Sequence, residues 1–174
     1  MKSFSIRPVA LVSALVVCVS CHSIGADAAA EAGDPLTTDD VQAYYHLPCT
    51  VKRQATGPGD KAMFPVSEYS FRSTGPEPLR QLVTLVVMHF DSPATARKVV
   101  EFSRERMLKG GDKIEDVPQV GDLAIQTKSG VLSIAKGSCE LILTAVALTE
   151  QGDQDKGRTV AALAIAEKIL PRVK

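Results

Sequence analysis

Leu82-Val83-Thr84-Leu85-Val86-Val87-Met88-His89-Phe90 is the strongest strand signal in this chain. Its side chains divide into two faces, Leu82/Thr84/Val86/Met88/Phe90 and Val83/Leu85/Val87/His89. An exposed edge or a half-solvated sheet would show apolar residues on one face only. Here both faces are mainly apolar, so the run predicts a central strand with substantial cover on each side. The residues that follow it start a helix. Ser92 can cap, Pro93 suits the first turn, and Gly110 is placed to stop it. Ala96, Val99, Val100, Ser103 and Met107 recur at helical spacing and form the stripe expected to be buried. Arg97, Lys98, Glu101, Arg104 and Glu105 form its solvated face.

Working outward, Thr37 with Asp40 three residues on makes a capping box, and Leu36 with Val41 makes a hydrophobic staple. The helix they open should end near His46, because Pro48 disfavours helical geometry at Leu47. Gly and Pro mark Arg53 to Lys61 as a loop, and Gly75-Pro76-Glu77-Pro78 as a turn after a strand over Val66–Ser73. Leu123–Thr127, Val131–Ala135 and Cys139–Leu148 read as three further strands joined by tight turns. A last helix spans about Arg158 to Leu170, with Ala162, Leu163, Ala166, Ile169 and Leu170 on one side and Pro171 at its end. This order predicts an α+β fold: a two-layer sandwich of a mainly antiparallel sheet with about three helices on one face.

The N-terminus has a separate character. Lys2 and Arg7 precede an apolar run from Pro8 to Val19, and Gly25-Ala26-Asp27-Ala28 follows. Basic, apolar and small-residue segments in that order read as a signal peptide over residues 1–28, cleaved after Ala28. The run falls short of the roughly 20 residues a spanning helix needs. Residues 29–35 then read as a flexible tether and 36–174 as one domain. Export makes the product periplasmic or secreted. Cys21 offers a second outcome, lipidation within a lipobox that has Cys18 where Leu is usual, which would anchor the protein to the membrane.

Cys18-Val19-Ser20-Cys21-His22 also spells the C-x-x-C-H of covalent haem attachment, but cleavage after Ala28 discards it. Cys49 and Cys139 remain, and in an oxidising compartment a pair reads as a disulfide pinning the first helix to the sheet. The sharper alternative is a metal site on His46 and Cys49, spaced H-x-x-C. Catalysis has little to draw on. His46 and His89 are the only histidines beyond the leader, there is no G-x-S-x-G elbow, and Gly57-Pro58-Gly59-Asp60-Lys61 lacks a phosphate loop's ending. Glu150, Asp153 and Asp155 are too sparse for a calcium loop and suit the N-terminus of the last helix. Twenty Lys and Arg balance twenty Asp and Glu, and Trp is absent, which disfavours nucleic-acid partners.

Leu36-Thr37-Thr38-Asp39-Asp40-Val41, Val117-Pro118-Gln119-Val120-Gly121-Asp122-Leu123-Ala124, Val131-Leu132-Ser133-Ile134-Ala135-Lys136-Gly137 and the ending Ala162–Leu170 occur in that order. In this the chain resembles small bacterial exported lipoproteins and extracytoplasmic sensor-like domains, over most of residues 36–170. The resemblance implies an exported α+β domain, often with disulfides, and no enzymatic activity; no cofactor is expected. The resulting expectation is a non-enzymatic module that binds an envelope protein or a small ligand. The second face of the 82–90 strand is then the place for a ligand groove or a partner subunit, including a second copy in a homodimer. A metal or haem redox protein using Cys18/Cys21/His22 or His46/Cys49 is the alternative, and a small hydrolase with an unrecognised site the third.

Overall fold

The computed structural model describes residues 34–56, 64–74, 80–147 and 154–173. Chain order is α1 (Thr38–Tyr45), β1 (Cys49–Thr56), β2 (Val66–Ser73), β3 (Gln81–His89), α2 (Pro93–Lys109), β4 (Ile114–Asp116), β5 (Leu123–Thr127), β6 (Val131–Lys136), β7 (Cys139–Ala145) and α3 (Gln154–Ile169). A 3₁₀ turn over Leu170–Arg172 follows α3. The strands form one seven-stranded sheet in the order β1-β2-β3-β7-β6-β5-β4, and every neighbouring pair is antiparallel. This is the α+β class expected from the sequence, with β3 interior between β2 and β7.

Register assigns the faces. Val83, Leu85 and Val87 of β3 stand opposite Ala145, Leu143 and Leu141 of β7, and Phe71 and Tyr69 of β2 lie beside Val83 and Leu85. All are buried, and they pack with Val41 and Tyr45 of α1 and with Ala161, Ala162, Ile165, Ala166 and Ile169 of α3. The small Ala positions let α3 lie close to the sheet, and Gly130 in the β5–β6 turn approaches it most tightly. A Cβ on Gly130 would sit 2.5 Å from the Cβ of Arg158. Each large aliphatic side chain sealed here contributes roughly 1.5–3 kcal/mol.

Alternate residues form the opposite face, where Ile125, Ala135 and Phe90 pack with Ala96 and Val100 of α2. Thus α1 and α3 make the second layer of the sandwich, and α2 lies on the other side of the sheet instead of joining them. The path from β3 to the far-edge strand β4 must cross β7, β6 and β5, and α2 brings its apolar stripe over them. The stripe is the expected one, with Ala96 and Val100 buried and Val99, Ser103 and Met107 half-buried. Ser92 caps it, accepting a hydrogen bond from the Thr95 amide at 3.2 Å. The chain reverses at Gly111, whose φ of 89° is left-handed, rather than at Gly110, which stays helical.

Three further differences have local causes. Arg53–Thr56 is strand, not loop: β1 pairs along the whole of β2, from Cys49↔Ser73 to Thr56↔Val66. β4 is a short edge strand paired with β5 over Ile114–Asp116. Asp34, assigned to the tether, is 6% exposed and built into the fold, accepting a hydrogen bond from the Tyr69 hydroxyl at 3.1 Å and pairing with Arg53 at 3.2 Å. The expected signal peptide, its cleavage after Ala28, Cys18, Cys21 and His22 lie outside the described residues. So do the Gly57–Lys61 segment, the Gly75–Pro78 turn, Glu150 and Asp153.

Candidate functional site

α2 packs on β4, β5, β6 and β7 and so covers only part of its face. Beside it, Thr84 and Val86 of β3 and Ile142 and Thr144 of β7 are half-buried, and Met88 of β3 is half-buried against the cluster that α2 forms on the sheet. Register puts these side chains on one surface: Val86 stands opposite Ile142, and Thr84 opposite Thr144. β2 adds Glu68 beside Val86 and Ser70 beside Thr84, and β1 adds Lys52 beside Ser70. The result is an apolar strip along the middle of the sheet with a polar margin toward β1.

That margin is fixed in place. Gln81 donates through Nε2 to the Val83 carbonyl at 2.8 Å, to Ser70 Oγ at 2.9 Å and to Thr84 Oγ1 at 3.2 Å. Its Oε1 accepts from Arg72 Nε at 3.1 Å. On the other side of the strip stands α2. Arg104 reaches Asp116 of β4 at 3.0 Å, which defines the flank turned to the far edge. Two positions along a helix differ by roughly 200°, so Phe102 projects from the opposite flank, the one on the β7 side. It is 65% exposed, a large apolar surface held in solvent on that flank of the helix.

Where the strip passes beneath α2 lies Glu140, 1% exposed and on the same face as Met88 and Ala135. Its Oε1 accepts from the Ser133 hydroxyl at 2.8 Å. Burial pushes the carboxyl pKa up, and the Ser133 hydrogen bond offsets only part of that effect.

The cysteines are not a bridge. Cys49 stands opposite Ser73, whose amide meets the Arg80 carbonyl just before β3, whereas Cys139 stands opposite His89 at the end of β3. From Arg80 to His89 the chain advances about 30 Å at ~3.4 Å per residue, and a disulfide needs Cα atoms within about 7 Å. The expected Cys49–Cys139 disulfide is therefore excluded by register, and neither residue forms one. Cys49 turns inward, its thiol donating to the Thr38 carbonyl at 3.7 Å, while His46 is exposed as the left-handed C-cap of α1. The H-x-x-C pair does not converge. Among the described residues no group of three or more His, Cys, Asp or Glu side chains is placed to hold a metal.

Sequence reasoning missed one contact between chemically capable groups: Cys139 Sγ lies 3.2 Å from His89 Nδ1. A thiol beside an imidazole can form a nucleophile–base pair, but Cys139 is fully buried and burial pushes its thiol pKa up. A protonated, inaccessible sulfur makes this a structural hydrogen bond. Only the β3–β7 register brings the two residues together, and no local pattern announces that register.

Known protein families, curated proteins and solved structures give no match to this chain. A concavity of about 190 Å³ is lined by the consecutive residues Asp116–Ala124, from the end of β4 through the following loop into β5. It is smaller than the roughly 300–1,000 Å³ of typical small-molecule pockets.

Proposed function

We propose that this chain is an exported, non-enzymatic binding module whose contact surface is the open part of the second sheet face, and that its partner is an envelope protein. The observation that carries the reading is the strip around Val86 and Ile142, left half-buried in the middle of the sheet. An apolar strip framed by fixed polar groups, with an exposed aromatic on the helix that flanks it, has the anatomy of a protein-contact patch. A broad, shallow surface suits a macromolecule better than a small ligand, which is normally enclosed on most of its area. The order of residues 1–28 and the resemblance to small exported lipoproteins and sensor-like domains support the location. Cleavage after Ala28 gives a soluble periplasmic or secreted product, and acylation at Cys21 gives an anchored one.

The test uses the full chain, expressed in a bacterium and carrying a photo-crosslinking side chain at Val86, at Ile142 or, as control, at exposed Glu167 on α3. The first two positions should trap the same envelope protein and Glu167 should not. Adding Phe102→Asp should abolish the adduct while far-ultraviolet circular dichroism stays unchanged. A second copy of the chain in the adduct would replace the envelope partner by a homodimer. Equal trapping at Glu167, or none at Val86 and Ile142, would refute the surface altogether.

A further inference from the structure

Among the described residues, Glu140 is the one acidic side chain the fold seals completely, and its setting is made of neutral groups. Met88 approaches from β3, Ala135 and Ser133 from β6, and the apolar stripe of α2, with Ala96 and Val100 buried, closes the layer above. The Ser133 hydroxyl is its one side-chain hydrogen-bond partner among the described residues. The charged groups of the surrounding elements are directed elsewhere. Arg104, the half-buried cation of α2, is held by Asp116, and Arg97, Lys98, Glu101, Glu105 and Arg106 are exposed. His89, next to Met88 on β3, lies on the opposite face against Cys139. No described cation at the site neutralises a carboxylate, and α2 contributes no strand to the sheet it covers. The helix is anchored beneath by few fully buried side chains, whereas α3 on the other face is anchored by five.

We propose that Glu140 is a release for helix α2: when its carboxyl loses its proton, α2 lifts from the sheet and water reaches the charge. Lifting would also join Ile125 and Ala135 to the apolar strip beside them and so enlarge the open face. This release does not depend on the strip's having any partner. The sign follows from linkage. Closed α2 holds the carboxyl in its protonated form and open α2 returns it to an ordinary carboxyl in water. Opening is therefore favoured as pH rises above the usual carboxyl range, by up to about tenfold per pH unit until the buried group itself ionises.

Amide hydrogen exchange read by mass spectrometry, corrected for intrinsic rates, tests this on the folded protein between pH 4.5 and pH 8. Wild-type α2 should open progressively more with pH while α3 keeps its protection. Glu140→Gln, which keeps the shape and removes the charge, should leave α2 closed and flat across the range. Ser133→Ala removes the donor that favours the buried carboxylate, so the rise should extend to higher pH. Identical pH profiles in the wild type and Glu140→Gln would overturn the proposal. Parallel loss of protection in α2 and α3 would also overturn it, because the event would then be global unfolding.

Discussion

Asp40 connects the first helix to the end of the chain. Its carboxylate accepts from the Thr37 amide at 3.0 Å and the Thr37 hydroxyl at 2.7 Å, which closes the capping box of α1. Both of its oxygens also receive the guanidinium of Arg172, in the fork geometry that makes Arg–carboxylate pairs strong. Burial by itself would raise the Asp40 pKa, but the Arg172 and Thr37 hydrogen bonds outweigh it and hold the group at about 2. A carboxyl whose pKa is lower folded than unfolded stabilises the fold above its unfolded value, near 3.8, and loses that contribution as pH falls toward 2. Arg172 is 42% exposed, so solvent screening reduces its share to about 1 kcal/mol. Urea unfolding at a series of pH values checks this: Arg172→Ala should be less stable than wild type by about that amount at pH 6, and the gap should close as pH approaches 2. A gap independent of pH would show that Arg172 acts by packing alone.

Among the described connections, the β4–β5 loop is tightly constrained. Gly121 has φ of 65°, and a Cβ there would sit 2.5 Å from Ile134 Cγ2 and 2.6 Å from the Ala135 carbonyl oxygen. The same carbonyl accepts from the Asp122 amide, and the Asp122 carboxylate accepts from the Gly137 amide, each at 2.8 Å. The loop is thereby bolted across the β6–β7 turn. Gly111 has φ of 89° but open space around it. Gly121→Ala should cost about 3 kcal/mol, from left-handed strain plus displacement of β6. Gly111→Ala should cost only about 1 kcal/mol, from strain alone. Chemical denaturation of the two variants separates the terms, and equal losses would show that the clash at Gly121 is relieved at no cost. Such elements also show what the sequence reveals. Caps, stripes and doubly apolar runs are local signals, so α1, α2, β2 and β3 are legible down to Thr37, Ser92 and the residues that α2 buries. β1 is not, because an edge strand draws its stability from β2 and can carry Lys52, Arg53 and Gln54 without an apolar rhythm. β4 is too short for periodicity. The open second face of β3 is half-legible: its apolar character can be read from the 82–90 run, but which part α2 leaves uncovered depends on crossover and register.

For the whole molecule, the question is what joins the N-terminal helix to the sheet in the absence of a disulfide. Tyr45 does so from the core side. Its buried hydroxyl lies 3.2 Å from the Leu82 carbonyl and 3.0 Å from the Val146 carbonyl, a shared donor across the ends of two central strands. Arg172 does so from the surface by holding Asp40, and Asp34 with Arg53 and Tyr69 secures the segment before α1. These contacts tie distant parts of the chain together without covalent closure, leaving Cys49 and Cys139 as thiols at opposite ends of the sheet. Burial pushes both thiol pKa values up, so neither should react with an alkylating reagent while the protein is folded. In denaturant, without any reductant, each should be alkylated completely. A bridge closing so long a loop would contribute about 3–4 kcal/mol, so its absence also predicts that adding reductant leaves the unfolding midpoint unchanged. If Cys49 and Cys139 instead resist alkylation in non-reducing denaturant, with a mass two protons lower, the register of β3 against β2 and β7 is wrong. In that case the fold must bring together two residues that the sheet now holds at opposite ends.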